Sequence, residues 1–117
     1  GNKTDIRWLA LYNGSIGIMF KGLPVFDGSV HHYDYALLDY YKGSQLHGKT
    51  DITKGDQIDL IVDYKQMGVG GDNSWGAKPH FKYTLPMDTT VYNLEYAIIP
   101  FNKNNELDAL SRINIDN

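Results

Sequence analysis

The chain has 117 residues, a formal net charge of −3 and no cysteine. Its length predicts one domain, its acidic balance is unlike the clustered basic surface that binds nucleic acid, and the lack of cysteine excludes disulfides, thiol catalysis and zinc–thiolate sites. No apolar run approaches the roughly 20 residues of a membrane span, so we expect neither a nucleic acid nor a membrane as partner. The start at Gly1 rather than at Met is expected of a piece of a longer protein.

A hairpin is predicted at the start of the chain. Residues 5–12 (DIRWLALY) alternate with apolar side chains on both faces, which favours a central strand with Trp8 in the core. Residues 13–15 (NGS) are a strong hairpin turn signal, and residues 16–20 (IGIMF) predict the returning strand.

The next part of the chain is predicted to be less regular. Residues 21–24 (KGLP) are expected to break the second strand, and residues 25–32 (VFDGSVHH) to form a third one with a bulge at Gly28. Residues 33–41 (YDYALLDYY) predict a short helix, because their apolar side chains recur at spacings of three and four. A strand is the alternative, since tyrosine suits both structures.

Three later segments alternate as strands do: residues 58–64 (IDLIVDY), 80–85 (HFKYTL) and 91–100 (VYNLEYAIIP). Residues 102–117 are polar and predict a tail or linker, with a weak helical pattern at residues 107–115. With 12 glycines, 4 prolines and 13% aromatic residues, these strands predict an all-β domain over residues 1–101, built as an antiparallel β-sandwich with one short helix.

The densest special-purpose stretch is residues 66–76 (QMGVGGDNSWG), which follow the best-predicted strand. Glycines at this density, among them Gly68, Gly70 and Gly71, indicate backbone with positive φ or backbone that something approaches closely. Asp72, Asn73 and Ser74 are residue types that fix a loop by local hydrogen bonds. The loop is predicted to hold Trp75 in a fixed place, either presented to a ligand or folded back onto the core.

The same stretch resembles a known family. Residues 67–76 (MGVGGDNSWG), before the run KPHFKYTLP, resemble the C-terminal domain of glycoside hydrolase family 2 β-galactosidases of the large bacterial type. Residues 1–11 (GNKTDIRWLAL) and residues 26–29 (FDGS) resemble further pieces of that domain. The resemblance covers about residues 1–100.

Glycoside hydrolysis by a retaining enzyme needs two carboxyl groups about 5 Å apart. The candidates are Asp51, Asp56, Asp59, Asp63 and Asp72, with Glu95 and Glu106 as the only glutamates. Asp59 and Asp63 are expected on one face of a strand but roughly 13 Å apart, so solvation of an exposed face is the favoured role. Asp72 is expected to tie the loop together, and nothing in the sequence pairs the glutamates.

Histidines and serines give no catalytic set either. His31 and His32 are adjacent on a predicted strand and point to opposite faces, so they cannot chelate one metal. For His47 and His80 a structural or surface role is also favoured. Ser29, Ser44 and Ser74 lack a nucleophile elbow with an identifiable base.

The resemblance implies where the chemistry lies. It implies a galactose-mutarotase-like β-sandwich that packs against a catalytic barrel, in a bacterial enzyme of the cytoplasm or the periplasm. The catalytic glutamates and the magnesium and sodium sites are implied to lie on other domains, so no cofactor is expected in this chain. Trp75 matches the tryptophan of the family's G-D-x-S-W motif, and its implied role is an apolar platform at the mouth of the galactose pocket.

Three hypotheses follow for the chain. The first is a fragment of a β-galactosidase that is inactive alone and lends Trp75 to the active site; its partners are a galactoside and the other domains of the enzyme, with a homo-oligomer left open. The second is an autonomous carbohydrate-binding module. The third is a structural interdomain module in which Trp75 is buried. The family's domain is longer than this chain, and residues 102–117 do not match its usual end, so a partial sandwich is expected.

Overall fold

The computed structural model describes residues 1–33, 54–88 and 90–115. Its elements are the strands β1 (Lys3–Tyr12), β2 (Ile16–His31), β3 (Asp59–Asp63) and β4 (Tyr96–Asn102), a 3-10 helix at Phe81–Tyr83, and the helix α1 (Leu107–Ser111). The predicted all-β class is confirmed. Among these residues no helix has both the length and the apolar character that crossing a membrane requires.

β2 is the central strand of a four-stranded antiparallel sheet. β1 precedes it in the chain, is joined to it by the predicted turn, and pairs with it from Tyr12↔Gly17 onward. β4 pairs with the first half of β2, and β3 pairs with its last five residues. Because β1 pairs with both halves of β2, β3 and β4 share the opposite edge. The described strands form this one sheet, and the second layer of the predicted sandwich is not among them.

A bulge interrupts the pairing of β1 with β2. Between the pairs Lys3↔Gly28 and Ile6↔Phe26, two residues of β1 oppose the single residue Asp27, which is the geometry of a β-bulge. The prediction of a bulge at Gly28 is therefore wrong, since Gly28 stays in regular register with Val62 of β3. The bulge lies on the neighbouring strand, β1. Gly28 is needed for close packing, because a Cβ there would lie 2.5 Å from the carbonyl oxygen of Ile61.

The predicted break at residues 21–24 is wrong, because β2 continues through it. A second register shift lies between Ile6 and Trp8 of β1 and leaves this part of β2 out of regular register with β1. Pro24 lies in that irregular part, where its missing N–H costs no ladder hydrogen bond. On the other side, the Leu23 N–H donates to the Glu95 carbonyl at 3.0 Å, next to the last pair with β4.

Two later strand predictions are wrong in whole or in part. Within residues 80–85, Phe81–Tyr83 form the 3-10 helix, and local bonds from the Tyr83 N–H to the His80 carbonyl and from the Thr84 N–H to the Phe81 carbonyl replace strand pairing. The strand predicted over residues 91–100 begins only at Tyr96, because its ladder with β2 ends at Gly22↔Tyr96. The helix predicted over residues 33–41 lies outside the described residues from residue 34 onward.

The described core is small. Met19 and Phe26 are fully buried, and Phe101 stacks on Tyr12 with ring centroids 5.9 Å apart. Trp8 was predicted in the core but is 39% exposed, on the strand position opposite Lys21.

The predicted helical pattern after β4 forms at Leu107–Ser111. The Lys21 ammonium donates to the Ile113 carbonyl just beyond it, which links this segment to the sheet. The division of the chain between residues 101 and 102 stays a prediction.

Candidate functional site

The glycine loop, defined as residues 66–76, begins three residues after β3 ends at Asp63. Its first amide is tied to the centre of the sheet, since the Gln66 N–H donates to Oδ2 of Asp27 at 3.2 Å. The other oxygen of that carboxylate accepts the Asp5 N–H at 3.1 Å. A buried side chain of β2 therefore holds both the bulge of β1 and the start of the loop.

Three of the loop's glycines, Gly68, Gly70 and Gly71, lie in its first half and differ in their surroundings. The Gly68 N–H donates to the Tyr83 carbonyl at 2.8 Å, which joins the loop to the 3-10 helix. Gly70 has a φ of +78°, a conformation that favours glycine. A Cβ on Gly71 would lie 2.5 Å from the Lys78 carbonyl oxygen, so the returning backbone passes too close for any side chain.

The second half of the loop is held by polar side chains. Nε2 of His80 lies 2.8 and 2.9 Å from the two carboxylate oxygens of Asp72, across an exposed ion pair. Oδ1 of Asn73 accepts the Trp75 N–H at 2.9 Å, which closes a local turn. Ser74 lies in that turn and is exposed. These bonds fix the backbone of Trp75 relative to the segment that follows the loop.

Trp75 is 92% exposed, so within this chain its indole is presented rather than folded onto the core. It is accompanied by other exposed apolar side chains in the loop and in the segment after it: Met67, Val69, Phe81, Tyr83, Met87 and Val91. The whole region is unlike an ordinary surface, on which large apolar side chains are scattered singly.

A cavity of about 310 Å³ opens beside the start of the loop. Its lining comes from β1, β2, the loop and the 3-10 helix, and includes Asp27, Lys65 and Lys82. The Lys82 ammonium lies 4.6 Å from the centroid of the Tyr83 ring. The cavity wall thus combines charged groups with an aromatic ring, close to the point where the loop is anchored.

The candidate carboxylates that the structure describes are spread over several parts of the chain. Asp59 and Asp63 lie at the two ends of β3, and Oδ2 of Asp63 accepts the Gln66 side-chain amide at 3.1 Å. Asp56 is exposed before β3, Glu95 precedes β4 and Glu106 precedes α1. Asp51 lies outside the described residues.

The described candidate histidines and serines also lie in more than one part of the chain. His31 lies against Tyr33, with ring centroids 4.8 Å apart, while Ser29 is buried in β2. His47 and Ser44 lie outside the described residues. Across residues 1–33, 54–88 and 90–115, no group of three or more His, Asp or Glu side chains is arranged to hold a metal ion.

One carboxylate near the loop has a shifted acidity. The Thr90 hydroxyl donates to Oδ1 of Asp88 at 2.5 Å and the Thr90 N–H donates at 2.9 Å. These bonds, the hydroxyl's first, lower the pKa of Asp88 below its usual 3.8. The interaction orders the turn between the 3-10 helix and β4.

Sequence reasoning missed Asp27 as a residue of this region. It is 2% exposed and bonds two backbone amides that are far apart in the sequence. The signal in the sequence was an acidic residue within a predicted strand, between Phe26 and Gly28. A carboxylate that is buried in a sheet requires hydrogen-bond donors, so such a residue indicates a specific set of contacts. The identity of those donors depends on the bulge in β1, which no periodicity indicates.

Comparison with known proteins identifies a family and several relatives of this chain. The sequence profile of the family described as "Beta galactosidase small chain" matches residues 1–98. A β-galactosidase of Priestia megaterium is 41% identical over 86 residues, which cover 73% of this chain and 8% of the relative. β-Galactosidase BgaC of Bifidobacterium adolescentis is 34% identical over 92 residues, covering 75% of this chain and 8% of the relative.

A third relative, a β-galactosidase of Pseudoalteromonas haloplanktis, is 28% identical over 94 residues, or 80% of this chain and 8% of its own length. The chain thus spans only about 8% of the length of each of these relatives. The family match includes the bulge, the central strand and the glycine loop. The chain belongs to the β-galactosidase small-chain family.

Proposed function

We propose that this chain is part of a β-galactosidase that hydrolyses terminal β-D-galactosides, and that it lends Trp75 to the active site of the complete enzyme as an aromatic sugar platform. In this proposal the chain does not catalyse alone. The catalytic glutamates come from other domains of the same enzyme, and this chain contributes to binding of the galactoside.

The exposure of Trp75 is the observation that carries the proposal. A sugar offers apolar C–H faces between its hydroxyl groups, and a flat indole matches such a face. Trp75 is 92% exposed while its backbone is held by Asn73. An aromatic side chain that is exposed on a fixed backbone suits a binding role better than a core role.

The exposed apolar residues near the loop support a partner domain. Phe81, Met87 and Val69 are almost fully exposed in this chain, although such side chains are usually buried. The relatives are far longer than this chain, so the rest of the enzyme supplies enough protein to cover them. An apolar surface of this kind fits an interface with a further domain.

Trp75→Ala in the complete enzyme tests the proposal. Stacking of aromatic rings is worth about 0.5–1.5 kcal/mol, so we expect KM for a galactoside to rise about 2- to 10-fold. Trp8→Ala is the control, because it makes the same truncation in the sheet and is expected to lower the thermal midpoint without this rise in KM. A Trp75→Ala enzyme with normal KM and a lowered midpoint would return Trp75 to a structural role.

A second candidate function is an autonomous carbohydrate-binding module. One observation favours it, namely that Trp75 is exposed without any partner domain. It predicts that the 117-residue chain alone binds galactose or lactose with a saturable change in tryptophan fluorescence, lost in Trp75→Ala. No change in a folded chain would leave the fragment of a larger enzyme as the better proposal.

A further inference from the structure

Asp27 occupies an unusual position in the sheet. It is 2% exposed at the centre of β2, beside the fully buried Phe26. A buried carboxylate is unfavourable unless donors satisfy its oxygens. Here each oxygen has one donor, the Asp5 N–H at 3.1 Å and the Gln66 N–H at 3.2 Å.

The two donors come from opposite sides of β2, and both lie where the backbone ladder fails. Asp5 belongs to the bulge of β1 and has a φ of +54°, a conformation that is uncommon for a residue with a side chain. On the other side, the pairing of β2 with β3 ends at Asp27↔Asp63, and Gln66 lies beyond it. The Asp27 carboxylate therefore supplies the two acceptors that the irregular backbone lacks.

Gln66 is the first residue of the glycine loop, and its amide bond to Asp27 fixes where the loop leaves the sheet. Two residues later the Gly68 N–H donates to the Tyr83 carbonyl, and farther on His80 holds Asp72. Asp27 is the buried member of this series of contacts, whereas Asp72 and His80 are exposed. Exposed pairs contribute little energy, so we expect the part-buried bond to Asp27 to contribute more to the position of the loop than the pair of Asp72 and His80.

We infer that Asp27 is a positioning residue for Trp75: its carboxylate sets the place and orientation of the glycine loop, and through it the affinity of the enzyme for galactosides. The inference rests on the proposed function of Trp75 and deepens it. Asp27 does not touch the sugar in this arrangement. It acts through the Gln66 backbone, because movement of the loop origin displaces the indole that the loop carries.

Asp27→Asn in the complete enzyme is the first test. The amide has the same size but only one acceptor oxygen, and its NH2 group cannot accept the second backbone N–H. The control is Asp63→Asn, the same substitution at the residue paired with Asp27, where only the side chain of Gln66 loses a partner. We expect Asp27→Asn to raise KM at least about twofold, and at most as much as Trp75→Ala does, while kcat is largely kept. Asp63→Asn should leave KM and kcat unchanged.

A double substitution shows whether Asp27 acts through Trp75. In the Trp75→Ala background, Asp27→Asn should raise KM no further, because the displaced group is already absent. An additional rise of the same size as in the wild type would mean that the two residues act independently and would overturn the inference. Unchanged KM with only a lower thermal midpoint would overturn it as well.

A second readout separates this inference from the proposed function. Enzyme labelled with 5-fluorotryptophan gives a 19F resonance for Trp75, assigned as the signal that Trp75→Phe removes. Asp27→Asn should shift or broaden this resonance and Asp63→Asn should not. A normal KM in Trp75→Ala together with a shifted resonance in Asp27→Asn would refute the sugar platform while supporting the positioning role. An unmoved resonance would refute the positioning role.

If Asp27→Asn prevents folding, Gln66→Pro removes the same hydrogen bond from the donor's side. Proline has no N–H, and the Asp27 carboxylate keeps its bond to Asp5. We expect the same displaced Trp75 resonance and the same rise in KM. A Gln66→Pro enzyme with a normal resonance and normal KM would overturn the inference.

Discussion

Phe26 and Phe81 are the same residue type in one chain, and their surroundings are opposite. Phe26 is fully buried in the sheet, whereas Phe81 is 84% exposed in the 3-10 helix after the glycine loop. The sheet is held by pairing and by apolar burial, while the loop region is held by hydrogen bonds to Asp27, Tyr83 and Asn73. Stability and the candidate site should therefore respond to different substitutions.

The largest expected effect tests this contrast directly. Phe26→Ala removes a fully buried ring and should lower the free energy of unfolding of the 117-residue chain by about 3–5 kcal/mol. Phe81→Ala is the matched substitution at an exposed position and should change it by less than about 0.5 kcal/mol. Urea unfolding of the wild type, Phe26→Ala and Phe81→Ala measures both changes in the free energy of unfolding. Equal losses would mean that the loop region is also stabilised by burial within this chain.

A smaller effect is expected within the loop. Gly71→Ala brings a Cβ to 2.5 Å from the Lys78 carbonyl oxygen, and relieving such a clash should cost about 1–3 kcal/mol. Gly70→Ala meets open space but strains a positive φ, at a cost of about 1 kcal/mol. Thermal unfolding and the rate of proteolytic cleavage at the loop measure the two variants. A Gly71→Ala loop cleaved no faster than the wild type would show that the close approach is not maintained.

The smallest effect is expected at the exposed ion pair. Asp72→Asn should destabilise the chain by no more than about 1 kcal/mol, because both partners are largely exposed. Measured at a pH low enough to protonate the His80 imidazole, the loss should shrink as salt rises, since the Debye length is only about 8 Å at 0.15 M. Asp108→Asn, which breaks the exposed pair between Asp108 of α1 and Arg112 just after it, is the control far from the loop in sequence. A salt-independent loss at Asp72 would argue for a buried role.

The sheet was predictable where its partners are close in the sequence. Alternation over β1 and the turn signal at residues 13–15 placed the first hairpin, because its register is set by a short turn. Residues 80–85 and 91–95 alternate equally well but are not strands. Alternation indicates which side chains would share a face of a strand. It does not indicate whether a neighbouring strand has unpaired backbone groups with which the segment could pair.

The sequence located the candidate site, but it predicted only part of the contacts that hold the site in place. The glycine-rich pattern marked residues 66–76 and Trp75, whose role stays a prediction. The contact between Asp27 and Gln66 joins strand and loop across a bulge and has no local signature. Trp8 shows the converse, since its apolar neighbours predicted a buried position but the described residues leave it partly exposed.

The shared central strand has a consequence for how the chain folds. β2 pairs with β1 through a short turn. On its other edge, the first half of β2 pairs with β4, which comes much later in the sequence, so that Ile16 is paired with Asn102. Contacts of such long sequence separation carry a large loop-closure entropy and slow folding. During synthesis on the ribosome, we expect the edge of Ile16–Gly22 that pairs with β4 to stay unpaired until Tyr96–Asn102 has emerged. A nascent or truncated chain that ends before Tyr96 would expose an apolar strand edge, the form in which β proteins most readily aggregate.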